Sequence, residues 1–179
     1  MTEHANKLEV YSVGAFKVRA QVVIEKDPRE FVPLYILKVP EIQPGTLALL
    51  DKIRERILAE VSIKTTELLE PKAFEQLKLK FFERSLLFLT RELTSVDEGV
   101  RRFLAGMLVH EMLGLGKLEL LIADGNLEDI VINSAEEPVW VYHKKYGWLK
   151  TNIYITDESQ IQNYASIIGR RVGRQITAL

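Results

Sequence analysis

Few residues of this chain combine a type and a spacing that could do chemistry. His110 and Glu111 open the sequence HEMLG, which begins like the zinc-binding helix H-E-x-x-H, but Gly114 stands where the second ligand belongs, so His110 reads as an ordinary helix residue. Gly114-Leu115-Gly116-Lys117 imitates a phosphate loop. Glu111 takes the place of that loop's first glycine and Leu118 that of its magnesium-binding hydroxyl, and the stretch closes a helix, whereas phosphate is held by N–H groups at a helix beginning. Asp124 to Asp129 has calcium-like oxygen spacing, with Asp129 in place of the glycine that bends an EF-hand loop, and reads as a turn before a strand. Histidines stand only at positions 4, 110 and 143, and the chain has no cysteine, so a histidine-based centre has weak support and a thiolate site or disulfide has none. The sequence predicts no catalytic residue and no metal ligand.

Charge placement says more. Between Glu119 and Glu137 lie six carboxylates and no lysine or arginine, whereas from Lys144 onward six basic residues face two acids. The basic ones gather at Lys144 and Lys145 and at Arg170, Arg171 and Arg174, near the end of the last predicted helix. Cations there complement the helix dipole by about 0.3–1 kcal/mol each; alternatively they face a phosphate or an acidic neighbour.

The elements that must position these residues follow from periodicity. Phe16 to Ile24 alternates apolar residues with Lys17, Arg19 and Gln21, and Leu34 to Val39 is a second strand, so the two predict a hairpin around the polar stretch 25–30. Residues 46–114 read as three helices. The first, to Val61, places Leu47, Leu50, Ile57, Leu58 and Val61 on one face and turns Arg54 and Glu55 outward. The second starts at Pro71, runs to about Leu93 and is apolar on more than one face. The third opens with Ser95 and Glu98 at capping-box spacing, lines one face with Val100, Leu104, Leu108 and Met112, and stops at Gly114. Strands at 128–133, 139–143 and 148–155 then form a meander, Thr156 caps a last helix striped by Ile161, Tyr164, Ala165, Ile168 and Val172, Gly173 ends it, and 175–179 begins a strand. The predicted class is α+β, divided into a hairpin-plus-helices unit over 1–114 and an α+β meander unit over 115–179.

With 179 residues, a net charge of −1 and an ordinary apolar fraction, the chain can bury a core and lacks a basic nucleic-acid footprint. The N-terminus has no signal-peptide pattern and no uncharged run reaches about 18 residues, which predicts a cytoplasmic protein.

The segments GLGKLELLIADGNLEDIVINS, VWVYHKKYGWLKTNIYIT and IIGRRVGRQITAL together resemble the region preceding the phosphate loop in secretion-type motor ATPases, the type II and type IV secretion superfamily. The first hundred residues are more like its archaeal branch, which includes the archaellum motor. The resemblance implies the N-terminal part of a hexameric ATPase, peripheral at the cytoplasmic face of the membrane. Its partners would be its own C-terminal motor domain, neighbouring subunits, a membrane platform and accessory secretion proteins, without nucleic acid. ATP and Mg2+ are then cofactors of the full-length protein and none belongs to this portion, since G-x-x-x-x-G-K-[ST] and the Walker B carboxylate are absent here. It further implies that Arg170, Arg171 and Arg174 lie near nucleotide in the full-length protein, and that Lys52, Arg54, Glu55 and Arg56 on the first helix tune partner docking. The alternative is a free-standing PAS-like sensory module whose aromatics, Trp140, Tyr142, Tyr146 and Trp148, line a ligand pocket.

Overall fold

The computed structural model of the chain describes residues 6–61, 67 and 70–171. Its class is α+β. In chain order the described elements are β1 (Asn6–Ala15), β2 (Val18–Lys26), β3 (Leu34–Lys38), α1 (Pro44–Glu60), α2 (Pro71–Glu92), α3 (Glu98–Leu113), α4 (Leu118–Ile122), β4 (Leu127–Val131), β5 (Pro138–His143), β6 (Gly147–Tyr154) and α5 (Glu158–Arg171).

The strands make one six-stranded sheet in the order β1-β2-β3-β6-β5-β4. β2 and β3 pair antiparallel from Gln21 with Lys38 to Glu25 with Leu34, and β5 is sandwiched antiparallel between β4 and β6. The halves join through a short parallel pairing of Leu34 with Lys150 and Tyr35 with Thr151. Beyond it the Asn152 side-chain amide stands in for a peptide group: its Oδ1 accepts from the Leu37 N–H at 2.9 Å and its Nδ2 donates to the Leu37 carbonyl at 3.1 Å. Val22, Ile24, Tyr35, Val141 and Leu149 share one buried face, against which α4 packs on β1 and β4 with Leu120 and Leu121 fully buried.

This pairing redraws the expected grouping, which set the hairpin with the helices in 1–114. The chain forms two compact units, one holding β1, β3, most of β2 and everything described from Lys117 onward, the other holding the hairpin tip Phe16–Val18 and Pro40–Gly116. A hairpin of β2 and β3 leaves the outer edge of β3 unsatisfied, and β6 completes it. β1 went unforeseen. It turns into β2 through Phe16 and Lys17, whose φ values of 32° and 52° are those of a tight hairpin turn normally made by Asn and Gly.

In the helical unit α1 packs on α2 and α3, and α2 on α3. The buried stripe of α1 is Leu50, Ile53, Ile57 and Val61; the expected Leu47 and Leu58 are 48% and 52% exposed, one step round the helix. α2 buries Leu77, Phe81, Phe82, Ser85, Phe88 and Leu89, and the Phe16 ring meets Phe82 edge-on at 6.1 Å. α3 buries every residue from Phe103 to His110. Its cap is Asp97, whose Oδ1 accepts from the Gly99 N–H at 2.7 Å, two residues later than the expected Ser95. Asp157, not Thr156, does the same for α5, accepting from the Ser159 N–H at 2.8 Å. The expected Val172, Gly173 and 175–179 strand lie outside the described residues. No described helix is long and apolar enough to cross a membrane.

Candidate functional site

The residues singled out in sequence are not brought together. Arg170 and Arg171 occupy the last turn of α5, and Arg174 lies outside the described residues. On α1, Lys52 and Glu55 are exposed, but Arg54 donates to Asp51 Oδ1 at 2.9 Å and to Glu111 Oε2 of α3 at 2.6 Å. Arg56 donates to Glu60 at 3.2 Å and lies 4.6 Å from the Phe88 ring centroid. Two of the four docking candidates therefore also hold helices in place. The phosphate-loop imitation is spent on helix termination: the Gly114 and Gly116 N–H groups both donate to the His110 carbonyl at 3.0 Å. Those amides are therefore not free to cradle a phosphate. Among the described residues no group of three His, Cys, Asp or Glu side chains could hold a metal ion.

The sheet unit does assemble a polar centre. Asp124 follows α4 by two residues, and the turn there closes on it: Oδ1 accepts from the Asn126 N–H at 2.9 Å and its carbonyl from the Leu127 N–H at 3.0 Å. Its second oxygen points into the sheet, where Oδ2 accepts from the Tyr11 hydroxyl of β1 at 2.7 Å and the Tyr35 hydroxyl of β3 at 2.8 Å. Asp124 is 5% exposed and Tyr35 fully buried. Burial, followed by the Asp124 carboxylate, pushes both tyrosine hydroxyls well above their ordinary range, so they remain donors. One carboxylate thus latches β1, β3 and the α4–β4 turn with charge-assisted bonds.

His143, at the end of β5, lies beside this latch with its ring 6.3 Å from Tyr11 and 5.0 Å from Tyr146. Its Nδ1 accepts from the Lys145 N–H at 3.1 Å, so the neutral ring carries its proton on Nε2, a buried atom without a hydrogen-bond partner. Burial holds the imidazole below its ordinary pKa, against the opposing pull of Asp124 and Glu9. Glu9 accepts from the Tyr146 hydroxyl at 2.8 Å and from Lys145 at 3.1 Å, and these bonds lower its carboxyl below the usual range. Chemically the arrangement is a buried carboxylate latch beside a neutral imidazole.

No family model matches the chain. It is similar to three uncharacterized proteins of Methanocaldococcus jannaschii. With MJ1288 it shares 30% identity over 175 residues, 98% of this chain and 68% of the relative. With MJ0781 it shares 28% over 171 residues, 94% of this chain and 22% of the relative, and with MJ0900 34% over 97 residues, 54% and 17%. The chain thus spans about a fifth of the length of the latter two.

Proposed function

We propose, for a chain that belongs to the family of the Methanocaldococcus jannaschii protein MJ1288, that it is the N-terminal docking and regulatory portion of a secretion-type motor ATPase. It works at the cytoplasmic face of the membrane, is not catalytic by itself, and couples a hexameric motor to secretion or filament assembly. The observation that carries this reading is modular. Residues similar to nearly the whole chain occupy 68% of MJ1288 but only 22% of MJ0781, as expected of a module joined to machinery of differing extent. The stretch Gly114–Asn133, which resembles the motor family, also contributes Asp124, the acceptor of the sheet unit's latch. ATP and Mg2+ chemistry belongs to the motor domain; this chain's part is to dock and to position.

The test is the reading frame beyond Leu179. It should encode a strand followed by a glycine-rich loop with lysine, and the full-length product should hydrolyse ATP. A stop codon directly after Leu179, or a full-length product without turnover, would overturn the proposal.

A further inference from the structure

Among the described residues the two edges of the sheet are built differently. β4 is five residues long, shifts register between Leu127 and Asp129, and exposes Glu128 and Asp129. Shortness, irregularity and charge are the devices by which an edge strand avoids pairing with another chain. β1, at the other edge, is ten residues long, has no proline, and leaves Leu8 38% and Val10 49% exposed. The two-residue turn at Phe16 and Lys17 sets Val13 opposite Ala20, Tyr11 opposite Val22 and Glu9 opposite Ile24. In that register the odd-numbered residues of β1 exchange ladder bonds with β2, and the N–H and C=O groups of Leu8, Val10 and Ser12 point away from the sheet.

We propose that β1 is the site at which a second copy of this chain adds its own β1, antiparallel, about a twofold axis at Leu8. The sequence of the strand is self-complementary there. Leu8 meets Leu8 of the second copy, and Lys7 meets Glu9 in both directions, opposite charges directly across an antiparallel pair. With the axis at Val10, which also keeps the outward groups bonded, Glu9 would face Tyr11 and Lys7 would face Val13, and neither charge would meet its opposite. Tyr146 and Lys145 both engage Glu9 Oε2, so the carboxylate has a second oxygen for the incoming lysine. The outward amides and carbonyls of Asn6, Leu8 and Val10 would then gain partners, as in recognition by strand addition. The pairing goes beyond the motor reading and does not depend on it.

Because the chain has no cysteine, Leu8→Cys introduces a single thiol. Residues paired in this way lie about 5.5 Å apart between Cα atoms, within the roughly 4.4–6.8 Å that a disulfide spans. Mild oxidation of the 179-residue chain carrying Leu8→Cys should give a covalent dimer, and Ser12→Cys should not. Val10→Pro removes an outward amide and no bond to β2, so the dimer seen by sedimentation should become monomer with an unchanged circular dichroism spectrum. Lys7→Glu should weaken the dimer roughly tenfold. A chain that stays monomeric, a crosslink equally efficient at Ser12→Cys, or a dimer that survives Val10→Pro would overturn the proposal.

Discussion

Asp124 serves two tyrosines that the sequence leaves 113 and 89 residues away, so no local pattern could reveal what its carboxylate does. Sequence reading finds the turn, because Asp and Gly together favour one, and misses the latch. Removing the carboxylate strands the fully buried Tyr35 hydroxyl without an acceptor, and Asp124→Ala should cost about 2–4 kcal/mol, against about 1 kcal/mol for Tyr11→Phe. Both tryptophans, Trp140 and Trp148, lie on β5 and β6, so their fluorescence during urea unfolding reads the sheet unit alone; an unchanged midpoint for Asp124→Ala would show the latch to be idle. His143 supplies a pH signature. Its folded pKa lies below the ordinary 6.5, so the unfolded chain takes up the proton first; its contribution is fully present above about pH 6.5 and is lost as pH falls toward the lower folded value. The lowered carboxyls of Glu9 and Asp27 act in more acidic windows, Glu9 losing its contribution as pH falls below about 4.5 and Asp27 as pH falls from about 3.8 through about 2. Stability measured between pH 7 and 5 should therefore decline in the native chain and flatten in His143→Gln; equal slopes would remove His143 as the cause.

At the level of elements, the helices and the meander were legible because each carries its own period, and the β2–β3 hairpin because it alternates cleanly. β1 was not, since Leu8 and Val10 point outward while Tyr11 and Val13 point inward, which leaves no contrast between faces. Its turn gave no signal either: Phe16 and Lys17 adopt a glycine-like conformation held by contacts, the Phe16 ring against Phe82 and the Lys78 ammonium 5.0 Å from that ring's centroid. Gly106 was silent for the same reason. In the middle of α3 a glycine looks like a weak helix former, yet a Cβ there would lie 2.6 Å from Val18 Cγ2 and 3.4 Å from the Lys17 backbone. A β-branched neighbour has little freedom to move, so Gly106→Ala should destabilise by about 1–3 kcal/mol despite its better helix propensity, and a rise in melting temperature would refute the close approach. The α1 charges divide similarly. Lys52→Glu should leave the melting temperature nearly unchanged, whereas Arg54→Glu sets a third carboxylate against Asp51 and Glu111 and should lower it by about 2–4 °C.

At the level of the whole molecule, the phosphate-loop likeness and the motor likeness separate. The amides of Gly114 and Gly116 are committed to the His110 carbonyl, so the purified 179-residue chain should show no ATP turnover above a mock preparation. Turnover abolished by a substitution within this chain would defeat both that expectation and the docking assignment. If the chain fronts a motor domain, Arg174 stands in the sequence between α5 and that domain, and arginine suits a phosphate because its charge is permanent and its planar fork grips two oxygens. Arg174 is the sharpest choice, since it follows Gly173 in the sequence, while Arg170 and Arg171 stand in the last described turn of α5, where a helix end already favours cations. In the full-length protein Arg174→Ala should lower the ATPase rate about tenfold or more while the melting temperature holds, and Arg174→Lys should recover only part of it, because a point charge replaces the fork. Equal turnover of all three proteins at saturating and at limiting ATP would reduce the basic cluster to helix-end electrostatics. In the 179-residue chain the same substitution should change nothing measurable if the phosphate is held by the motor domain.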